Sequence, residues 1–140
     1  MPKLHIDDTD FEFTIVRYEK DSEYRWSTIK IGIHNYYLNF ESVQDYWEKW
    51  EVDFLIQKLH EFLDGKMIEE DEASGTEPDI SFKFYPFNGE FGGYLDFSFN
   101  FQTESGAYSK EIWTITLYPQ EVRQLLAGLE YEKQSTGGKI

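Results

Sequence analysis

Residues 94–130 read YLDFSFNFQTESGAYSKEIWTITLYPQEVRQLLAGLE, and their reading decides the fold class. Leu95, Phe97, Phe99 and Phe101 alternate with Asp96, Ser98, Asn100 and Gln102, the period-2 signature of a strand with one apolar and one wettable side. Gly106 falls in the next turn, and Trp113, Ile115 and Leu117 then alternate with Thr114 and Thr116 as a second strand. There the period changes. Pro119 sits where a first helical position belongs, since its missing N–H is not needed there, and Val122, Leu125, Leu126 and Leu129 form one stripe of a 3.6-residue helix.

Working outward, Ile80, Phe82 and Phe84 alternate with Ser81 and Lys83, and Asn88–Gly89 is a hairpin signal. In the first half Phe11, Phe13 and Ile15 alternate with Glu12 and Thr14, with Tyr18 extending the segment; Ile29, Ile31 and Ile33 follow, then Tyr36, Leu38 and Phe40. The short break at His34–Asn35 predicts a hairpin between the last two. Val52, Leu55, Ile56, Leu59, Phe62 and Leu63 repeat the helical stripe, with Gly65 as its stop. Val52 matches Val122, Leu55 matches Leu125, Ile56 matches Leu126 and Leu59 matches Leu129 at one offset. The pattern predicts an α+β fold with the order β-β-β-α written twice. The simplest burial of all the apolar faces is one largely antiparallel sheet of about six strands with both helices packed on one face. Half-repeats at 11–65 and 80–132 are joined by an acidic segment, 66–79, expected to be a mobile connection. Residues 1–132 read as a single domain and 133–140 as a loose polar tail.

The chain has 140 residues, and thirteen Lys and Arg against twenty-seven Asp and Glu give a net charge of −14. Such a surface repels phosphate and anionic lipid, which disfavours direct nucleic-acid or membrane binding. Aromatic residues make up 19% of the chain, far too many for a disordered composition. With no cysteine there are no disulfides, thiolate metal sites or cysteine nucleophiles, and no secretory leader is legible, so a cytoplasmic protein is expected.

No motif for catalysis, a cofactor or a metal emerges. His5, His34 and His60 are not spaced as ligands; Asp7, Asp8 and Asp10 resemble a calcium loop but lack its glycine and its closing glutamate. Gly92–Gly93 reads as a bulge or kink beside a strand, not a nucleotide cradle. Two segments point instead to partner binding. Residues 41–51, ESVQDYWEKWE, read as an insert that the second half lacks, either a lid completing the core or an exposed anchor patch built from Asp45, Tyr46, Trp47, Glu48, Trp50 and Glu51. The acids Glu69, Glu70, Asp71 and Glu72 read either as solvated charge or as a docking surface for a basic partner.

The element order, the acidity, and the passage of YLDFSFNFQ through EIWTITLYPQEVRQLLAGLE into a closing helix resemble the WapI family of bacterial immunity proteins over about residues 11–130. The resemblance is one of pattern and assigns no individual residue. It implies a cytoplasmic antidote that binds the toxic C-terminal domain of a WapA-type toxin, often an RNase. The charge is compatible with this on its own terms, because a nuclease presents cationic surface to its substrate and an acidic protein can occlude it without catalysis. Two rivals remain: a carbohydrate-binding or glycan-acting protein using aromatics and carboxylates, and a structural or regulatory homodimer.

Overall fold

The computed structural model describes residues 3–75, 80–87, 92–102 and 108–136. Among these, the chain runs β1 (Lys3–Ile6), β2 (Thr9–Arg17), β3 (Trp26–His34), β4 (Asn39–Glu48), α1 (Lys49–Leu63), β5 (Asp71–Ser74), β6 (Ile80–Tyr85), β7 (Tyr94–Gln102), β8 (Tyr108–Leu117) and α2 (Pro119–Thr136). The strands form two antiparallel four-stranded meanders, β1-β2-β3-β4 and β5-β6-β7-β8. The expected single sheet of about six strands is thereby corrected, while the α+β class and the antiparallel pairing hold. The order is β-β-β-β-α twice. As described, each second-half element starts 68 to 71 residues after its counterpart, from Lys3 and Asp71 to Lys49 and Pro119.

Aromatic size explains why two sheets replace one. Each meander carries one apolar face, and large rings fill the roughly 10 Å gap between sheets that face each other. Phe13 of the first sheet meets Phe82 and Phe97 of the second edge-on, at centroid distances of 5.1 and 5.9 Å. Phe11 meets Phe97 at 4.8 Å, Phe40 meets Phe99 at 5.3 Å, and Trp47 meets Phe82 at 5.8 Å. Ile29, Ile31 and Ile33 of the first sheet and Leu95 and Leu117 of the second are fully buried in the same core.

Three strand assignments differ from the sequence reading. Strand β1 lies in the leader: Leu4 and Ile6 face the core, and Asp7 and Asp8, both at positive φ, make the two-residue turn into β2. The Asp7–Asp10 acids therefore belong to a hairpin. Residues 71–74, expected in a mobile connection, form β5 and pair with β6. Tyr36 and Leu38 lie in a turn, where the Asn35 side chain accepts hydrogen bonds from the Tyr37 and Leu38 N–H groups, and β4 starts only at Asn39. The hairpin between β3 and β4 is antiparallel as expected. Asn88–Gly89 and Gly106 lie outside the described residues.

Helix α1 begins at Lys49, closed by a capping box between Glu48 and Glu51, and stops at Gly65, whose φ of 73° suits a glycine after a C-cap. Helix α2 starts at Pro119 and continues to Thr136, through the first residues assigned to the tail. Each helix bridges both sheets: α1 touches β3, β4 and β5, and α2 touches β1, β2 and β8, with the two helices in mutual contact. Where β1 pairing ends at Lys3–Glu12, the Ile15 N–H donates to Glu132 Oε1 of α2 at 3.0 Å. A carboxylate from the last helix thus guards the open edge of β2, and burial pushes it up to about pH 7.

Truncating Phe13 to Ala removes the ring shared by both sheets and should cost about 3–5 kcal/mol, read as a lower urea midpoint at unchanged slope. The unfolded chain releases the Glu132 proton near its ordinary value of 4.5 and the folded chain near 7, so the folded form holds the extra proton in between. Stability from this residue should therefore fall by about 2–3 kcal/mol as pH rises through that window. Glu132→Gln keeps an acceptor for Ile15, and the pH dependence of wild type minus variant, measured by urea denaturation, should carry that fall.

Candidate functional site

The residues 41–51 are not an insert. Residues 41–48 continue β4, which is ten residues long like β8, and residues 49–51 open α1. Between Gln44 and Trp47 three steps on β4 oppose two on β3, a bulge that turns both Tyr46 and Trp47 inward. Tyr46, 7% exposed, shares a 2.5 Å hydrogen bond with Ser42; Trp47, 1% exposed, sits between Phe13 and Phe82. A Cβ on Gly75 would come within 2.5 Å of Trp47 Nε1, so the chain after β5 passes directly over this ring edge. Glu51 is buried in the capping box. Glu48, half-buried, pairs with Arg25, whose Nε lies 3.2 Å from Oε1, and accepts from Trp50 Nε1 at 3.1 Å. Asp45 is exposed, with its carboxyl held below the usual range by the hydroxyl of Thr28 and then that of Tyr24. Trp50 is 58% exposed. Of the six, Asp45 and Trp50 face outward and Tyr46, Trp47 and Glu51 complete the interior.

Of the acids 69–72, Asp71 and Glu72 are held in place. Asp71 Oδ2 lies 2.7 Å from Lys58 Nζ of α1, which keeps the Asp71 carboxyl below its ordinary range, and Glu72 Oε1 accepts from Ser81 Oγ at 2.7 Å. Glu69 and Glu70 project to solvent beside Ile68, which is 87% exposed.

Sequence reasoning missed the outward face of the second sheet. Because Phe82, Phe84, Leu95, Phe97, Ile115 and Leu117 point inward, their neighbours form three cross-strand rows outside. Ser74, Ser81, Ser98 and Thr114 form one row of short hydroxyls, with Ser98 Oγ 3.0 Å from Thr114 Oγ1. Glu72, Lys83, Asp96 and Thr116 form the charged row, Thr116 donating to Asp96 at 2.6 Å. The third row is aromatic. Tyr85 and Tyr94 stack at 4.7 Å, Tyr118 stands 6.5 Å beyond Tyr94, and Glu70, one residue before β5, lies beside them. Together with Ile68 these side chains line an open groove of about 630 Å³. Desolvation, then the charges of Asp96, Tyr85 and Glu70, push the Tyr94 phenol up. The legible signal was there: the polar positions of YLDFSFNFQ and EIWTITLY, set in register, already spell two of these rows.

Other polar clusters join elements. The Tyr18 hydroxyl donates to both Asp53 oxygens, at 2.8 and 3.0 Å, and Lys133 Nζ lies 2.7 Å from Asp53. His60 of α1 pairs with Glu130 of α2 at 3.1 Å. On the first sheet His5 meets Asp10 at 2.8 Å and His34 meets Glu41 at 3.0 Å. Among the described residues no group of three or more His, Asp or Glu side chains gathers as a metal site. The tip between β3 and β4 carries Tyr36 and Tyr37, each 92% exposed. No family model matches the chain, and no curated protein matches it.

Lys58→Met removes the cation that fixes Asp71. The Asp71 carboxyl, followed by carbon-detected NMR titration, should move up toward its ordinary range, and amide exchange at residues 71–74 should accelerate several-fold while that of β7 stays unchanged.

Proposed function

We propose that the chain is a non-catalytic protein-binding module, an immunity protein that neutralises a cognate basic toxin domain of nuclease type by occlusion. The observation that supports this reading is the anchoring of the acidic segment. Residues expected to be loose solvated charge are tied to α1 through Lys58–Asp71 and to β6 through Ser81–Glu72. Fixed charge loses little conformational freedom on association, so its electrostatic attraction for a partner is not spent on ordering a loop. Glu69 and Glu70, next to the exposed Ile68, place charge and apolar surface side by side at a sheet edge.

The net charge of −14 acts over a longer range than these contacts. It raises the rate of encounter with a cationic surface and orients it, while short-range apolar contacts set how long the complex lasts. Occlusion needs no proton transfer or nucleophile from this chain. The toxin's substrate, a polyanion, competes for the same cationic surface and is repelled by the bound acid.

Co-purification from the native host should recover a basic protein whose nuclease activity the chain abolishes on stoichiometric addition. The association rate of the recovered pair, followed by stopped-flow fluorescence, should fall about tenfold or more from low salt to about 0.3 M salt. Recovery of a metabolite alone, or an association rate indifferent to salt, would sink the reading.

A further inference from the structure

Resting on that reading, we propose that the outward face of the second sheet is the contact surface for the basic protein partner. The row Tyr85, Tyr94 and Tyr118 supplies the anchors, the row Ser81, Ser98 and Thr114 the hydrogen bonds, and the acids at its β5 edge the charge. Three observations converge on this face. Its composition is that of a binding surface: tyrosine brings large contact area with few rotatable bonds, and short hydroxyls adapt their hydrogen bonds to an incoming chain. Its rows are preorganised, because cross-strand register and the Tyr85–Tyr94 stack fix them before any partner arrives. Its charge is complementary to a cation: Glu70, Glu72 and Asp96 stand on it, with Lys83 between the last two in the charged row.

The same geometry chooses the chemistry of the occupant. A sugar ring stacks on an open aromatic face, whereas Tyr85 and Tyr94 turn one face each toward the other, 21° from parallel, with Lys83 Nζ 5.8 Å from the Tyr85 ring centre and Tyr118 standing beside Tyr94. What they offer outward is hydroxyl beside carboxylates, which accept hydrogen bonds from the guanidinium, ammonium and peptide N–H groups of a protein. The exposed Trp50 is held by Glu48, and Tyr36 and Tyr37 occupy only a hairpin tip; neither has a row of neighbours in register.

A phage-displayed peptide library enriched in lysine and arginine, selected on the full chain, tests the location. The strongest binder should lose about tenfold or more of its affinity for the triple variant Tyr85→Ser, Tyr94→Ser, Tyr118→Ser, and less than about twofold for Trp50→Ser or for Tyr36→Ser with Tyr37→Ser. Independently of any variant's folding, the binder should shield Tyr85, Tyr94 and Tyr118 of the wild-type chain from nitration by tetranitromethane. Undiminished affinity for the triple variant together with unshielded tyrosines, or loss at Trp50 or the hairpin tip instead, would overturn this location and leave the acidic-binder reading standing. Absence of any salt-sensitive binder would overturn both. A concentration-dependent dimer in sedimentation, dissolved by the triple variant, would assign the face to a second copy of the chain and overturn the proposal.

Discussion

Phe13 is the ring on which both halves of the molecule close. It lies in the first sheet, yet among the described residues two of its three aromatic neighbours, Phe82 and Phe97, belong to the second, and Trp47 locks it from the side. Once this cluster fixes which face of each meander points inward, strand alternation leaves no freedom about what points out. The tyrosine, charge and hydroxyl rows are therefore the reverse side of the core pattern. Surface and interior are set by one choice of register.

The helices were legible because their stripes are long and end at recognisable residues, Gly65 for one and Pro119 for the other. The strands with clean alternation were legible too. Strand β4 was disguised twice: the positions paired with the buried Ile31 and Ile29 hold the polar Ser42 and the exposed Gln44, and a bulge buries Tyr46 and Trp47 in succession, which breaks the period of two. Strand β5 has a single core side chain, Ala73, among acids and a serine, too little pattern to outweigh its charge. The count of sheets was not legible for another reason. Amphipathic strands state that each needs a partner surface, and only the three-dimensional arrangement says whether that surface is a helix or another sheet.

The candidate residues divided along the same line. Sequence singled out acids and tryptophans by type, and type does not reveal orientation. Trp47 went to the core and Trp50, three residues later, to solvent. The tyrosines of the outward row attracted no notice because they stand at the ends of three separate segments, and only hydrogen-bonded register brings 85, 94 and 118 together. The acids 69–72 were recognised for their charge, and for Asp71 and Glu72 pairing to Lys58 and to β6 adds what composition never states, a fixed position.

The bond between Ile15 and Glu132 spans 117 positions of the chain. Ribosomes add about 5–20 residues each second, so the nascent first sheet waits on the order of ten seconds before its guard is even translated. During that interval the β2 margin is an open template for any neighbouring strand, on the ribosome or in a crowded polysome. The acidity of the nascent chains, mutually repellent at close range, is then a safeguard during birth as much as a property of the finished molecule.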